Sequence, residues 1–253
     1  MFNGELALVT GAASNIGRGV ASALAGEGAE LIISDINDDA LQALEAEINE
    51  EGGTCLSVVA DLAAPDGWKD LLAALEGRVP DMLVHSACPK RNEADLIMEV
   101  SEETYDAMVN TNARSGFLLA RAVAGRMKEA GKAGRILFMT SLHAHTPRNL
   151  PHYSGSKAAM TMIMKELAVQ LGPFGIRVNA IAPGAVPGGG FATSEDSFQP
   201  KRKIPLGRFG TPEDVAGPAL ALLSDRFSKY VTGTTMVVDG GLQLYSWIDA
   251  PEA

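Results

Sequence analysis

Cysteine is scarce in this chain, two residues in 253, which excludes a disulfide framework and makes a reducing cytosol the expected setting. No apolar run approaches the roughly 20 residues that a membrane-spanning helix needs. The opening "MFNGELALVTG" lacks the basic stretch, longer apolar core and small-residue cleavage site of a secretory leader. A cytoplasmic protein without a membrane partner is expected. Basic residues are outnumbered, 21 against 31 acidic, for a net charge of −10. That balance argues against a surface dedicated to phosphate backbones, and "KRK" at 201–203 with Arg208 nearby reads as a solvated loop. No nucleic-acid partner is expected. Low-complexity segments and fixed-period repeats are also missing.

What remains is an alternation of short apolar runs and helix-period stretches. "ELALVTG", "AELIISD", "GTCLSVVAD", "DMLVHSA", "GRILFMTS", "IRVNAIAPG" and "TTMVVDGG" read as strands bounded by Gly, Asp or Ser. Between them, "NIGRGVASALAGEG", "NDDALQALEAEINEEG", "PDGWKDLLAALEG", "SEETYDAMVNTNARSGFLLARAVAGRMKEAG" and "HYSGSKAAMTMIMKELAVQLGPFG" carry apolar residues at three- and four-residue spacing. Several strands are apolar nearly throughout, as suits a parallel sheet covered by helices on both faces. The expected fold is α/β, a single Rossmann-type domain over residues 1–253 with a doubly wound parallel sheet of about seven strands. One long Gly- and Pro-rich stretch, about 184–210, is expected to act as a substrate lid, and 242–253 forms a short tail with Tyr245 and Trp247.

Ligands of open α/β sheets bind beyond the carboxyl ends of the strands. After the first strand, "TGAASNIGRG" places Gly11, Gly17 and Gly19 in a turn leading into a helix. Such a turn lets backbone N–H groups approach a pyrophosphate, although it also serves as a plain strand-to-helix connection. Asp35, closing the second strand, can accept hydrogen bonds from a ribose and would repel a 2′-phosphate. With no Lys or Arg within two residues of Asp35, and an uncharged Ser14 in the turn, NAD is favoured over NADP. Asp61, closing the third strand, fits a turn residue as well as a cofactor contact.

"YSGSK" at 153–157 puts Tyr153 and Lys157 four residues apart, one above the other on a helix face. A phenol is a poor base at neutral pH unless a neighbouring cation stabilises its ionised form. With that help Tyr153 can exchange a proton with an alcohol or carbonyl oxygen while hydride moves to or from a cofactor. Ser141 closes the preceding strand and can hold the same oxygen, and Asn112 on the long helix before it can reach the lysine through water.

With these residues in place the chain resembles the classical short-chain dehydrogenase/reductase family nearly end to end, through "TGAASNIG", "ADL", "NARSGF", "YSGSK", "RVNAIAPG", "PLGRFGTPEDVA" and "VTGTTMVVDGG". The resemblance implies a catalytic tetrad of Asn112, Ser141, Tyr153 and Lys157. It implies that NAD lies against Gly11, Ser14, Asn15, Ile16, Gly17, Asp35, Asp61, Leu62, Ser86, Ala87, Pro183, Gly184 and Val186, with Tyr153 and Lys157 at its reactive end. Members are commonly homotetramers or homodimers.

Three places depart from the family pattern. Asn15 stands where a glycine is usual, and Asn is the residue other than Gly that best tolerates positive φ. Gly188 replaces a threonine that contacts the nicotinamide in many members. "HSAC", His85 to Cys88, replaces Asn-Asn-Ala-Gly. His85 can donate and accept as an amide does. A zinc site from His85, Cys88, His143 and His145 matches no common ligand spacing, and a Cys88–His85 nucleophile has no third group to orient it. No metal is expected.

The partner is then a small-molecule alcohol or ketone. His143, two residues after Ser141, should face it, and Asn149, with Arg148 and His145 nearby, would make the pocket polar. "SLH" at 141–143 resembles the bacterial glucose dehydrogenases of the family, so a sugar or polyol leads. A 3-oxoacyl-(acyl carrier protein) reductase is the alternative, with "KRK" receiving an acidic carrier. A non-catalytic dinucleotide sensor is the third reading, against which the complete tetrad speaks.

Overall fold

Each of the seven apolar runs becomes a strand in the computed structural model, which describes residues 1–91, 96–188 and 198–244. The first half runs β1 (Leu6–Thr10), α1 (Asn15–Gly26), β2 (Glu30–Asp35), α2 (Asp38–Glu50), β3 (Thr54–Val59), α3 (Gly67–Ala74) and β4 (Met82–His85). The second runs α4 (Glu102–Val109), α5 (Gly116–Glu129), β5 (Gly134–Met139), α6 (Pro151–Leu171), β6 (Ile176–Pro183), α7 (Pro200–Lys203), α8 (Pro212–Leu223), α9 (Asp225–Ser228) and β7 (Thr235–Val238). All pairings are parallel, in the order β3-β2-β1-β4-β5-β6-β7. The chain changes direction across the sheet between β1 and β4, and such a switch point opens a crevice at the strand ends. Register sets Thr10 opposite both Ser34 and His85 there.

Successive residues of β1 serve opposite faces, as the two-residue period of a strand requires. Ala7 and Val9 join Leu31 and Ile33 against Val20 and Leu24 of α1, Leu41 of α2 and Val215 of α8. Leu6 and Leu8 join Ile32, Leu83 and Phe138 against Leu71 of α3, Leu119 and Val123 of α5 and Met160 of α6. Two buried faces explain why the central strands read as continuous apolar runs, each fully buried leucine contributing about 1.5–3 kcal/mol. The edge differs. Leu56 and Val59 of β3, an edge strand, are exposed.

Gly19 has a packing role rather than a cofactor role. A Cβ there would come within 2.8 Å of the Pro212 side chain, so the glycine lets α1 approach the start of α8. The expected single helix over "SEETYDAMVNTNARSGF" is instead α4, a wider π-helical turn over Asn110–Ser115, and α5. Of the expected lid, 198–210 is described and 189–197 lies outside the described residues. Its "KRK" forms the exposed single turn α7. The tail is described only to Leu244, leaving Tyr245 and Trp247 outside. Among the described residues no helix is long and apolar enough to cross a membrane.

Candidate active site

A cleft of ≈ 400 Å³ lies along the carboxyl ends of the strands. At one end the glycine turn is shaped by close approach. Gly11, at φ +68, runs against the segment just after β4, and a Cβ there would lie 2.6 Å from the Ala87 nitrogen. A Cβ on Gly17 would overlap the Gly11 carbonyl. The turn and the first residues of α1 therefore present backbone to the cleft, with Ser14, Asn15 and Ile16 on its wall. This is the cradle a pyrophosphate needs, so the residues present fit a dinucleotide.

Asp35 lines the same end. Its Oδ2 accepts from the Ala13 N–H at 3.1 Å, and its Oδ1 from the Ile36 and Asn37 N–H groups at 2.8 and 3.1 Å. A carboxylate has about four lone-pair sites, so it can still accept from a ribose. The helix cap is supplied by Asn37, whose side chain accepts from the Ala40 N–H at 3.2 Å. Asp61 accepts from the Ala63 N–H at 2.9 Å and lines the cleft with Leu62.

His85 is buried completely behind this wall. Its Nε2 faces the Thr111 and Asn112 carbonyls at 3.1 and 3.2 Å, so that nitrogen carries the proton. Its Nδ1 accepts from the Thr10 hydroxyl at 3.0 Å. The Thr10 oxygen in turn accepts from the Ser86 and Ala87 N–H groups, each at 3.3 Å. Burial, reinforced by the charge of Lys157, pulls the imidazole down to about 4, and the ring is neutral. Gly116 makes room for it, because a Cβ there would sit 2.8 Å from the ring. The bonded carbonyls belong to the π-helical turn, so the ring braces the wider winding. With both nitrogens committed, His85 has no lone pair for a metal or a thiol. Cys88 lines the cleft separately, 3.9 Å from the Met108 sulfur.

The reactive end is built from side chains. Tyr153 and Lys157 are 6% and 3% exposed and lie on the cleft wall with Ser141. The Lys157 ammonium donates to the Met139 carbonyl at 2.8 Å and sits 5.8 Å from the Tyr153 ring centroid. Ser141 accepts from the His143 N–H at 3.1 Å, which leaves its own proton to donate. His143 meets the Tyr153 ring edge-on at 6.5 Å. Its Nδ1 donates to the Thr146 carbonyl at 3.1 Å, and its Nε2 faces Arg148 at 3.4 Å.

Two expected site residues stand elsewhere. Asn112 is off the cleft wall: its side-chain amide donates to the Ser156 hydroxyl at 2.9 Å, its main-chain carbonyl faces His85, and its buried side-chain oxygen meets no partner among the described residues. Asn149 is exposed and outside the lining, its positive φ of 61 spent on turning the chain into α6. The other expected cofactor residues, including Pro183 at the end of β6 and Gly184 and Val186 beyond it, line the cleft. Asn15 and Gly188, separate departures from the family pattern, meet: a Cβ at Gly188 would lie 2.6 Å from the Asn15 amide nitrogen. The smaller residue accompanies the larger one. Arg91 also lines the cleft, its guanidinium 4.7 Å from the Tyr153 ring centroid. The only sequence signal for it is a basic pair, Lys90-Arg91, just past the end of a buried strand.

A family described as enoyl-(acyl carrier protein) reductase matches residues 11–243. The chain belongs to the short-chain dehydrogenase/reductase family. An L-rhamnose 1-dehydrogenase (NAD(P)(+)) of Azotobacter vinelandii is 37% identical over 93% of this chain and 95% of that protein. A 3-oxoacyl-(acyl carrier protein) reductase of Synechocystis is 33% identical over 95% and 98%. A solved structure from Beutenbergia cavernae, provisionally named an NAD(P)-dependent gluconate 5-dehydrogenase and holding NADP at low occupancy, superposes with a TM-score of 0.88 at 32% identity, covering 96% and 98%. This member is an oxidoreductase, and its cofactor is a nicotinamide dinucleotide.

Proposed function

We propose that this chain is an NAD-dependent dehydrogenase that interconverts a secondary alcohol and a ketone on a sugar or polyol. The observation that carries this reading is the buried Tyr153–Lys157 pair beside Ser141 at the end of a cleft whose other end is acidic. Gly11 to Gly17 would hold the pyrophosphate, Asp35 a ribose, and Ser86, Ala87 and Pro183 to Val186 the nicotinamide side. When bound, the dinucleotide supplies the hydride acceptor or donor. Ser141 donates its proton to the substrate oxygen and fixes it near the Tyr153 hydroxyl. Tyr153 takes the hydroxyl proton in oxidation and returns it in reduction. Lys157, anchored on the Met139 carbonyl, places its charge where a phenolate forms. Asn112 acts through the backbone that His85 braces.

Asp35 supports NAD over NADP, since its carboxylate would face a 2′-phosphate. Relatives named as sugar dehydrogenases support a polyhydroxylated substrate, and the Synechocystis relative keeps an acyl thioester as the second reading. The test is an activity screen with NAD and NADP against sugars, polyols, hydroxysteroids and 3-oxoacyl thioesters. Turnover of sugars or polyols with NAD is expected. Activity chiefly with NADPH on acyl thioesters overturns the assignment.

A further inference from the structure

The charges of the cleft are sorted. Its lining carboxylates among the described residues, Asp35 and Asp61, both lie at the nucleotide end. Around Tyr153 the lining residues are instead Lys157, His143, Arg148 and Arg91. Lys157 is committed to the Met139 carbonyl, and Arg148 engages His143. Arg91 differs from both. Its guanidinium rests on the face of the Tyr153 ring, and it meets no carboxylate or carbonyl among the described residues. A cation–π contact spends none of a guanidinium's N–H donors, whose fork matches two oxygens of one carboxylate. A phosphate dianion would call for a second uncommitted cation, which the described lining residues of this end do not offer.

Resting on the reading of Tyr153 as the proton-transfer group, we propose that the substrate is a polyhydroxy acid whose carboxylate is held by Arg91 while its reacting hydroxyl meets Tyr153 and Ser141. Oxidation breaks the O–H and the carbinol C–H bonds. The proton passes to the Tyr153 oxygen, the hydride to the oxidised dinucleotide, and the carboxylate is unchanged. Arg91 is thereby a specificity-determining residue, since neutral polyols offer its donors no charge.

The test compares a panel of aldonates with their matched neutral alditols and with sugar phosphates, each with NAD. Wild type should favour the aldonate. Arg91→Gln should lower the aldonate-to-alditol ratio of kcat/KM by about 10- to 100-fold, chiefly through KM, with Arg91→Lys intermediate. A second readout needs no turnover: aldonate should raise the melting temperature of Tyr153→Phe protein with NAD bound, and adding Arg91→Gln should remove that rise. Preference for alditols, with a ratio that Arg91→Gln leaves unmoved, overturns the carboxylate and keeps the dehydrogenase reading. Preference for sugar phosphates also overturns it. Failure to turn over any alcohol overturns both.

Discussion

The two ends of the cleft are built by different means. The nucleotide end is made of backbone: positive-φ Gly11, the Gly17 contact, and N–H groups arranged by the Asp35 and Asp61 carboxylates. Its pieces come from short, contiguous segments at the ends of β1, β2 and β3. The reactive end is made of side chains brought from β5, α6 and the segments 86–91 and 141–148, and its charge is positive where the other is negative. A ligand common to many proteins is met by generic peptide groups, whereas a particular substrate is met by particular side chains. Substitutions at the first end should change affinity for the cofactor, and those at the second should change turnover and choice of substrate.

The largest expected effect breaks the reactive end alone. Tyr153→Phe should lower kcat by about 10²- to 10⁴-fold, while NAD binding by calorimetry stays near wild type. Equal losses in both would erase the distinction between the ends. Asp35→Asn removes the charge and keeps one acceptor oxygen for the Ile36 and Asn37 N–H groups, at the cost of the bond from the Ala13 N–H. The NADP-to-NAD affinity ratio should move about tenfold toward NADP, with kcat little altered. An unmoved ratio would remove Asp35 from cofactor choice.

His85 stands behind the wall joining the two ends, and its prediction is one of stability. In the unfolded chain it protonates near 6.5, and in the native chain only near 4. Between these values acidification gives the unfolded chain a proton that the native chain refuses. Stability therefore falls as pH drops through that window, by at most about 1.4 kcal/mol per pH unit from this group. Urea melts at stepped pH should show the slope, and His85→Asn should flatten it. The same slope in the variant would refute the assignment. The smallest effect belongs to Asn149. Asn149→Gly preserves the positive φ and should leave kcat/KM within about twofold. A larger loss would return Asn149 to the substrate site.

The nucleotide end was legible because its glycine turn directly follows one strand and its acid closes the next, eighteen residues beyond Gly17. Gly11, Gly17 and Asp35 appear on the cleft as expected from order alone. Tyr153 and Lys157 were legible for the same reason, four residues apart on one helix. Asn112 and Asn149 are not among the residues that line the cleft. Nearness in sequence says nothing of which group a helix turns toward the cleft, and Ser156 and His85 meet the Asn112 side-chain amide and main-chain carbonyl. Arg91 was passed over because a basic pair after a strand is ordinary in sequence. Its meaning comes from a ring 62 residues later.

By itself the sequence determined the parallel sheet, the switch-point cleft and the meeting of Tyr153 and Lys157 on one helix face, since these rest on periodicity and local spacing. Tertiary structure alone decided that Gly19 serves helix packing, that Asn15 and Gly188 adjust to each other, and that the odd histidine ending β4 is a neutral brace. These depend on contacts between distant segments, where steric room and desolvation are set by whichever groups the fold brings together.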